Sequence, residues 1–139
     1  MEILPQTPAP MPEQDPALPL VDPERLDELG QMAAPAEIHA LLRELLAMYR
    51  TEAVAHLARL TTAWQAGDAK LARSEAHYLA GSSANLGLAR LAAGWHELEV
   101  MAGEGRLPVL ANFAETLEAR LAEACGAYER AVAALDGAR

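Results

Sequence analysis

Residues 76–88 read Ala76-His77-Tyr78-Leu79-Ala80-Gly81-Ser82-Ser83-Ala84-Asn85-Leu86-Gly87-Leu88, and the reading of the whole chain turns on this stretch. Wound as a helix, it places Leu79 and Leu86 about 180–200° away from His77. The leucines then take the core, and the imidazole faces solvent. Gly81 lies one turn beyond His77 on the same side. A glycine inside a helix costs about 1 kcal/mol relative to alanine, so something should need the empty space beside the ring. A partner's loop closing on the histidine is one such need. Gly87 reads as the helix stop.

The other elements follow outward from here. Gly67-Asp68 ends one helix and caps the next, so the central helix spans about 69–86. Before it, a long helix is expected from about 36 to 66, with Ile38, Leu41, Leu45, Met48, Ala53, Leu57, Leu60 and Trp64 at helical spacing. Asp22-Pro23 offers an N-cap and a preorganised first position for a short helix over about 23–33, which Pro35 interrupts. On the other side, a helix over about 88–102 stops at Gly103-Glu104-Gly105. Pro108 opens the last one, with Leu110, Phe113, Leu117, Leu121, Ala124, Tyr128 and Leu135 on one face. Short connections make successive helices antiparallel neighbours. The expected fold is all-α: an antiparallel four-helix bundle, up-down-up-down, with a short extra N-terminal helix.

Composition agrees. The 139 residues are 52% hydrophobic but only 4% aromatic, which suits one domain of packed amphipathic helices. No apolar run approaches the ~18–20 residues of a membrane span, and the N-terminus lacks the basic-then-apolar pattern of a signal peptide. Six of the nine prolines fall within residues 1–20, so residues 1–21 are expected to form an extended or disordered tail or linker ahead of a domain over 22–139. The single cysteine, Cys125, excludes an internal disulfide, reads as a buried structural thiol and fits a cytoplasmic setting. A net charge of −9 argues against nucleic acid as a partner.

Against so acidic a background, a local basic exception would mark a place for an anion such as phosphate. Only 11 residues are Lys or Arg, yet Arg73 and Lys70 precede His77 by one and two turns on its own face. Their cationic groups are suited to phosphoryl oxygens. With Ser74, Gly81, Ala84 and Asn85 they make up the candidate phosphate- or partner-binding set around His77. Ser82 and Ser83 read as aids to close helix packing. His39, His56 and His96 lie on different helices with no ligand spacing, so no metal site is expected.

The segment resembles the signature of the histidine-containing phosphotransfer (HPt) family. His77, Leu79, Gly81, Ser82, Ser83, Leu86, Gly87, Leu91, Leu98 and Glu99 match its order and spacing, and the resemblance covers the bundle over roughly residues 22–136. The family usually has lysine three residues after the histidine. Here that position is Ala80, and Arg73 is the candidate substitute. Glu75 sits where the helix wants an apolar residue, either at an exposed edge or paired with a neighbour. Trp95 occupies a usually smaller position.

The resemblance implies a phosphocarrier with no cofactor and no autonomous kinase activity. Neutral His77 would attack the aspartyl phosphate of a receiver domain, and that receiver would supply the acidic pocket and the Mg²⁺. The implied partners are receiver domains of response regulators, a hybrid sensor histidine kinase, or both, met by a monomer. A faint sensor-kinase phosphoacceptor box at His96-Glu97-Leu98 continues into Glu99-Val100 where that box needs arginine or threonine and then proline, and is rejected. Two alternatives remain. One is a pseudo-phosphotransfer module that binds a receiver without accepting phosphate, supported by Ala80. The other is a helical adaptor with an incidental motif.

Overall fold

The computed structural model describes residues 7–137, with side chains through Leu135. Among these the chain is built of five α-helices: α1 (Pro23–Gly30), α2 (Ile38–Gln65), α3 (Ala69–Leu86), α4 (Ala89–Gly103) and α5 (Phe113–Gly137), with a 3₁₀ turn at Pro35–Glu37. Strand-like pairing among the described residues is limited to one isolated bridge between Ala9 and Leu110.

The caps explain the boundaries of α3. Asp68 accepts a hydrogen bond from the Leu71 amide at 3.1 Å, which satisfies one of the unpaired donors at the helix start. At the other end Gly87 adopts φ 96°, and the Leu88 amide returns to the Ser83 carbonyl at 2.9 Å. A side chain at 87 would be opposed twice, by this backbone and by Arg25, whose Cβ and Cγ lie 3.1 Å from where a Cβ would stand.

α3 packs against both α2 and α4, α2 against α5, and α1 against α2 and α3. Leu42, Leu60, Leu79, Leu91, Trp95, Leu98 and Tyr128 are fully buried at the centre. Each such side chain is worth about 1.5–3 kcal/mol of transfer free energy. Trp95 is the largest of the fully buried side chains among the described residues. Ser83 faces inward and shares a 2.7 Å hydrogen bond with Tyr49, whose phenol is pushed up to about 12, chiefly by burial.

Three sequence expectations differ from the structure. Along the first half of α2 the core register is Leu42, Leu46 and Tyr49, while Ile38, Leu41 and Leu45 are half-buried and Met48 is 57% exposed. The apolar arc here is wide enough to serve two neighbours, the core on one side and α1 on the other. The last helix begins at Phe113 rather than at Pro108. The Pro108 carbonyl accepts from Trp64 Nε1 at 2.9 Å, and Ala9 pairs with Val109 and Ala111, so this stretch is held extended.

The third difference concerns the proline-rich segment, expected over 1–21 as an extended or disordered tail or linker rather than part of the core. Residues 1–6 lie outside the described residues. From residue 7 onward the segment runs as a strap along the bundle. Arg90 on α4 donates to the carbonyls of Leu18 (2.9 Å) and Pro16 (3.3 Å), and Arg120 on α5 donates to that of Pro12 (2.6 Å). Ala9, Met11 and Val21 pack against the core. Proline lacks a donor but keeps its carbonyl, so a proline-rich strap needs donors from its support, and the two arginines provide them.

Candidate functional site

His77 stands on the exposed side of α3, its side chain 76% accessible. The fully buried Ala76 and Leu79 fix the rotation of the helix beneath it. Its Nδ1 lies 2.9 Å from Oε2 of Glu99 on α4, and that glutamate is only 16% exposed. A carboxylate can only accept, so Nδ1 carries the proton and the Nε2 lone pair points outward. The arrangement presents one ring nitrogen, in a defined tautomer, to anything that docks.

Gly81 is exposed one turn on, and a Cβ built there would meet no atom within 4 Å. Among the described residues, nothing in contact requires glycine at 81. The other candidates divide into two groups. Lys70, Arg73 and Ser74 are exposed on the N-terminal half of α3. Arg73 leans along the end of α4, where its Nε sits 3.4 Å from where a Cβ on Gly103 would be. Ala84 and Asn85 are exposed toward the C-terminal end, and the Asn85 carbonyl accepts from Arg25 Nε at 2.8 Å.

His77, Gly81 and Asn85 line one recess of about 730 Å³ between α1, α2 and α3. The remaining walls include Leu29, Met32, Leu45, Met48, Glu52 and Tyr78. Lys70, Arg73, Ser74 and Ala84 lie outside it. Met32 and Met48 are 75% and 57% exposed, and together with Tyr78 they form an apolar surface beside the histidine. Sequence reasoning missed this surface. The usable signal was a second apolar register on α2 that the core had no need of.

Tyr78 is held by groups the sequence did not pair. Its hydroxyl donates to Glu52 at 2.5 Å, and its ring stacks on His56 with centroids 3.7 Å apart. The Glu52 carboxylate, by holding the phenolic proton, pushes the Tyr78 phenol up. His56 in turn meets Glu75 at 2.5 Å, and Arg59 donates to the same carboxylate at 3.0 Å. Glu75 is therefore not an edge residue. It is a buried anion answered by two groups of α2.

Among the described residues, no group of three or more His, Cys, Asp or Glu side chains is arranged to hold a metal ion. Nor is any helix there long and apolar enough to cross a membrane.

The fold and this surface define a helical phosphotransfer domain, and comparison with known proteins agrees. The Hpt domain family matches residues 44–134, so the chain belongs to the Hpt domain family. It is also similar to the crystal structure of histidine-containing phosphotransfer protein B (HptB) from Pseudomonas aeruginosa PAO1. The TM-score is 0.66 at 28% identity, over 82% of this chain and 95% of that one. No curated protein matches the sequence.

Proposed function

We propose that this chain relays phosphoryl groups through His77, taking them from the aspartyl phosphate of one receiver domain and passing them to another. The observation that carries the reading is the His77–Glu99 contact, which turns Nε2 outward beside the open space at Gly81. The lone pair of Nε2 attacks phosphorus, an N–P bond forms, and the bond to the aspartyl oxygen breaks with the aspartate leaving as a carboxylate. The ring then carries Nδ1–H and a phosphoryl group at once and is cationic, and the Glu99 carboxylate stabilises that charge. Mg²⁺ and the acidic pocket belong to the receiver. Lys70 and Arg73 approach the phosphoryl oxygens from the N-terminal side, with Arg73 replacing the lysine absent at Ala80. The apolar recess with Asn85 takes the receiver's docking surface.

The reading includes an antiparallel up-down-up-down order for α2 to α5, a monomer, and a cytoplasmic setting. The test is transfer from a radiolabelled phosphorylated receiver to the protein and to a His77→Gln variant. Acid-labile, alkali-stable label on the first and none on the second supports the relay. Ala80, packed partly against the core and bringing no charge, favours a second reading as a receiver-binding module that takes no phosphate. Tight receiver binding with no label on either protein would establish that one instead.

A further inference from the structure

The recess beside His77 is walled in part by methionine, and the phosphotransfer reading uses those side chains only as apolar surface. Met32, in the turn after α1, is 75% exposed, and Met48, on α2, is 57% exposed; both line the recess that His77 lines. Of the chain's five methionines, Met1 lies outside the described residues. Met11 on the strap and Met101 on α4 are partly buried and packed against the core. The thiol is no better target for an oxidant. Cys125 is 1% exposed, and burial pushes its thiol up, which keeps it protonated and unreactive. Among the described residues, the most accessible sulfur is therefore concentrated on one wall of one recess. Leucine serves an apolar wall as well, and Leu29 and Leu45 do so in the same recess. Methionine adds a soft thioether, which adapts to a partner but also takes up oxygen.

We propose that Met32 and Met48 form an oxidative modification site: a hydroperoxide converts them to sulfoxides, which weakens receiver docking and leaves His77 able to react. The sulfur lone pair attacks the terminal peroxide oxygen, an S–O bond forms and the O–O bond breaks. Sulfur is oxidised by two electrons and the peroxide is reduced. The proton of the attacked oxygen passes to the leaving one, which departs as water or, from an alkyl hydroperoxide, as an alcohol. Each side chain, apolar before, is then polar. A sulfoxide oxygen covered by a docked partner without a donor costs binding. The His77–Glu99 contact involves neither methionine. The inference rests on the receiver docking in this recess, as proposed above.

The test treats the full chain with hydrogen peroxide and maps the added oxygen by mass spectrometry of its peptides. Met32 and Met48 should be oxidised before Met11 and Met101. Affinity for the receiver used in the transfer assay, measured by titration calorimetry, should fall about tenfold for each sulfoxide covered without a donor. Labelling by phosphoramidate, a small donor that phosphorylates histidine without docking, should be unchanged. Methionine sulfoxide reductases should restore the affinity. Whatever its starting affinity, Met32→Leu/Met48→Leu should lose none of it on peroxide treatment. Earlier oxidation at Met11 or Met101, an unweakened complex once both sulfoxides have formed, or an equal loss in the double variant overturns the proposal. If the untreated chain binds the receiver yet takes no label from it, the relay fails instead, and the same titrations still decide the role of the two methionines. An untreated chain that binds no receiver overturns the docking reading and this inference together.

Discussion

Two histidine–glutamate pairs tie α3 to its neighbours, one on each side of the helix. His56 and Glu75 join α2 to α3; His77 and Glu99 join α3 to α4. In the first pair the glutamate is 10% exposed, the histidine 20%, and Arg59 occupies the remaining carboxylate oxygen. The ring is also covered by Tyr78. Both nitrogens of that imidazole and one of its faces are engaged, by Glu75, Arg59 and Tyr78, so the pair serves to hold helices together. In the second pair the glutamate is buried to a similar degree but the histidine projects into solvent with one nitrogen unused. The difference teaches that the chemistry of a residue pair does not set its role. The free valence does.

Breaking each pair should therefore fail in a different way. The largest effect is expected from His77→Gln, which should cut label accepted from phosphoramidate or a receiver at least ~100-fold, removing the nucleophile while leaving urea stability within about 0.5 kcal/mol. The mirror variant, Glu75→Ala, leaves Arg59 and His56 facing a partly buried gap. It should lower unfolding free energy by about 2–3 kcal/mol in a urea titration, with labelling of the folded protein unchanged. Next, Glu99→Ala should slow phosphoramidate labelling about tenfold, the equivalent of about 1.4 kcal/mol in the barrier. A rate equal to the wild type's would show that the carboxylate is not needed to set the ring.

Gly81→Ala should raise stability by about 0.5–1 kcal/mol, because helix propensity improves and the new methyl meets no atom within 4 Å among the described residues. Gly81→Leu should spare phosphoramidate labelling yet impair transfer from a receiver; equal impairment of both would mean the side chain obstructs the ring itself. The smallest effect is expected at Tyr78→Phe, which deletes only the bond to Glu52 and should cost under about 1 kcal/mol by thermal denaturation.

Much of this was legible in the sequence because it depends on local chemistry. Asp68 and Gly87 bracket α3 through caps that use neighbouring atoms, and the rotation that exposes His77 follows from Leu79 and Leu86. What was not legible depends on partners distant in the chain. Pro108 looks like a helix start until Trp64 and Ala9 claim the surrounding backbone. Glu75 looks misplaced until α2 brings His56 and Arg59 to it. Met48 fits the apolar spacing of α2, but periodicity cannot say whether a wide arc ends in core or in a surface recess. Glu99 entered the reading as part of a matched pattern, and only its distance to His77 gave it a task.

The strap has a consequence for the order in which the molecule is made. Pro12 and its donor Arg120 are 108 positions apart, and Leu18 and Arg90 are 72 apart. At about 5–20 residues per second, roughly 5–20 s of synthesis separate Pro12 from Arg120. During that interval the Pro12 end of the segment has emerged without the helix that holds it. A strand-forming sequence in the same place would be an adhesive edge. Prolines make poor strands and poor helices, so the earliest stretch of the strap to emerge can wait, uncommitted, until the helices it fastens have been built.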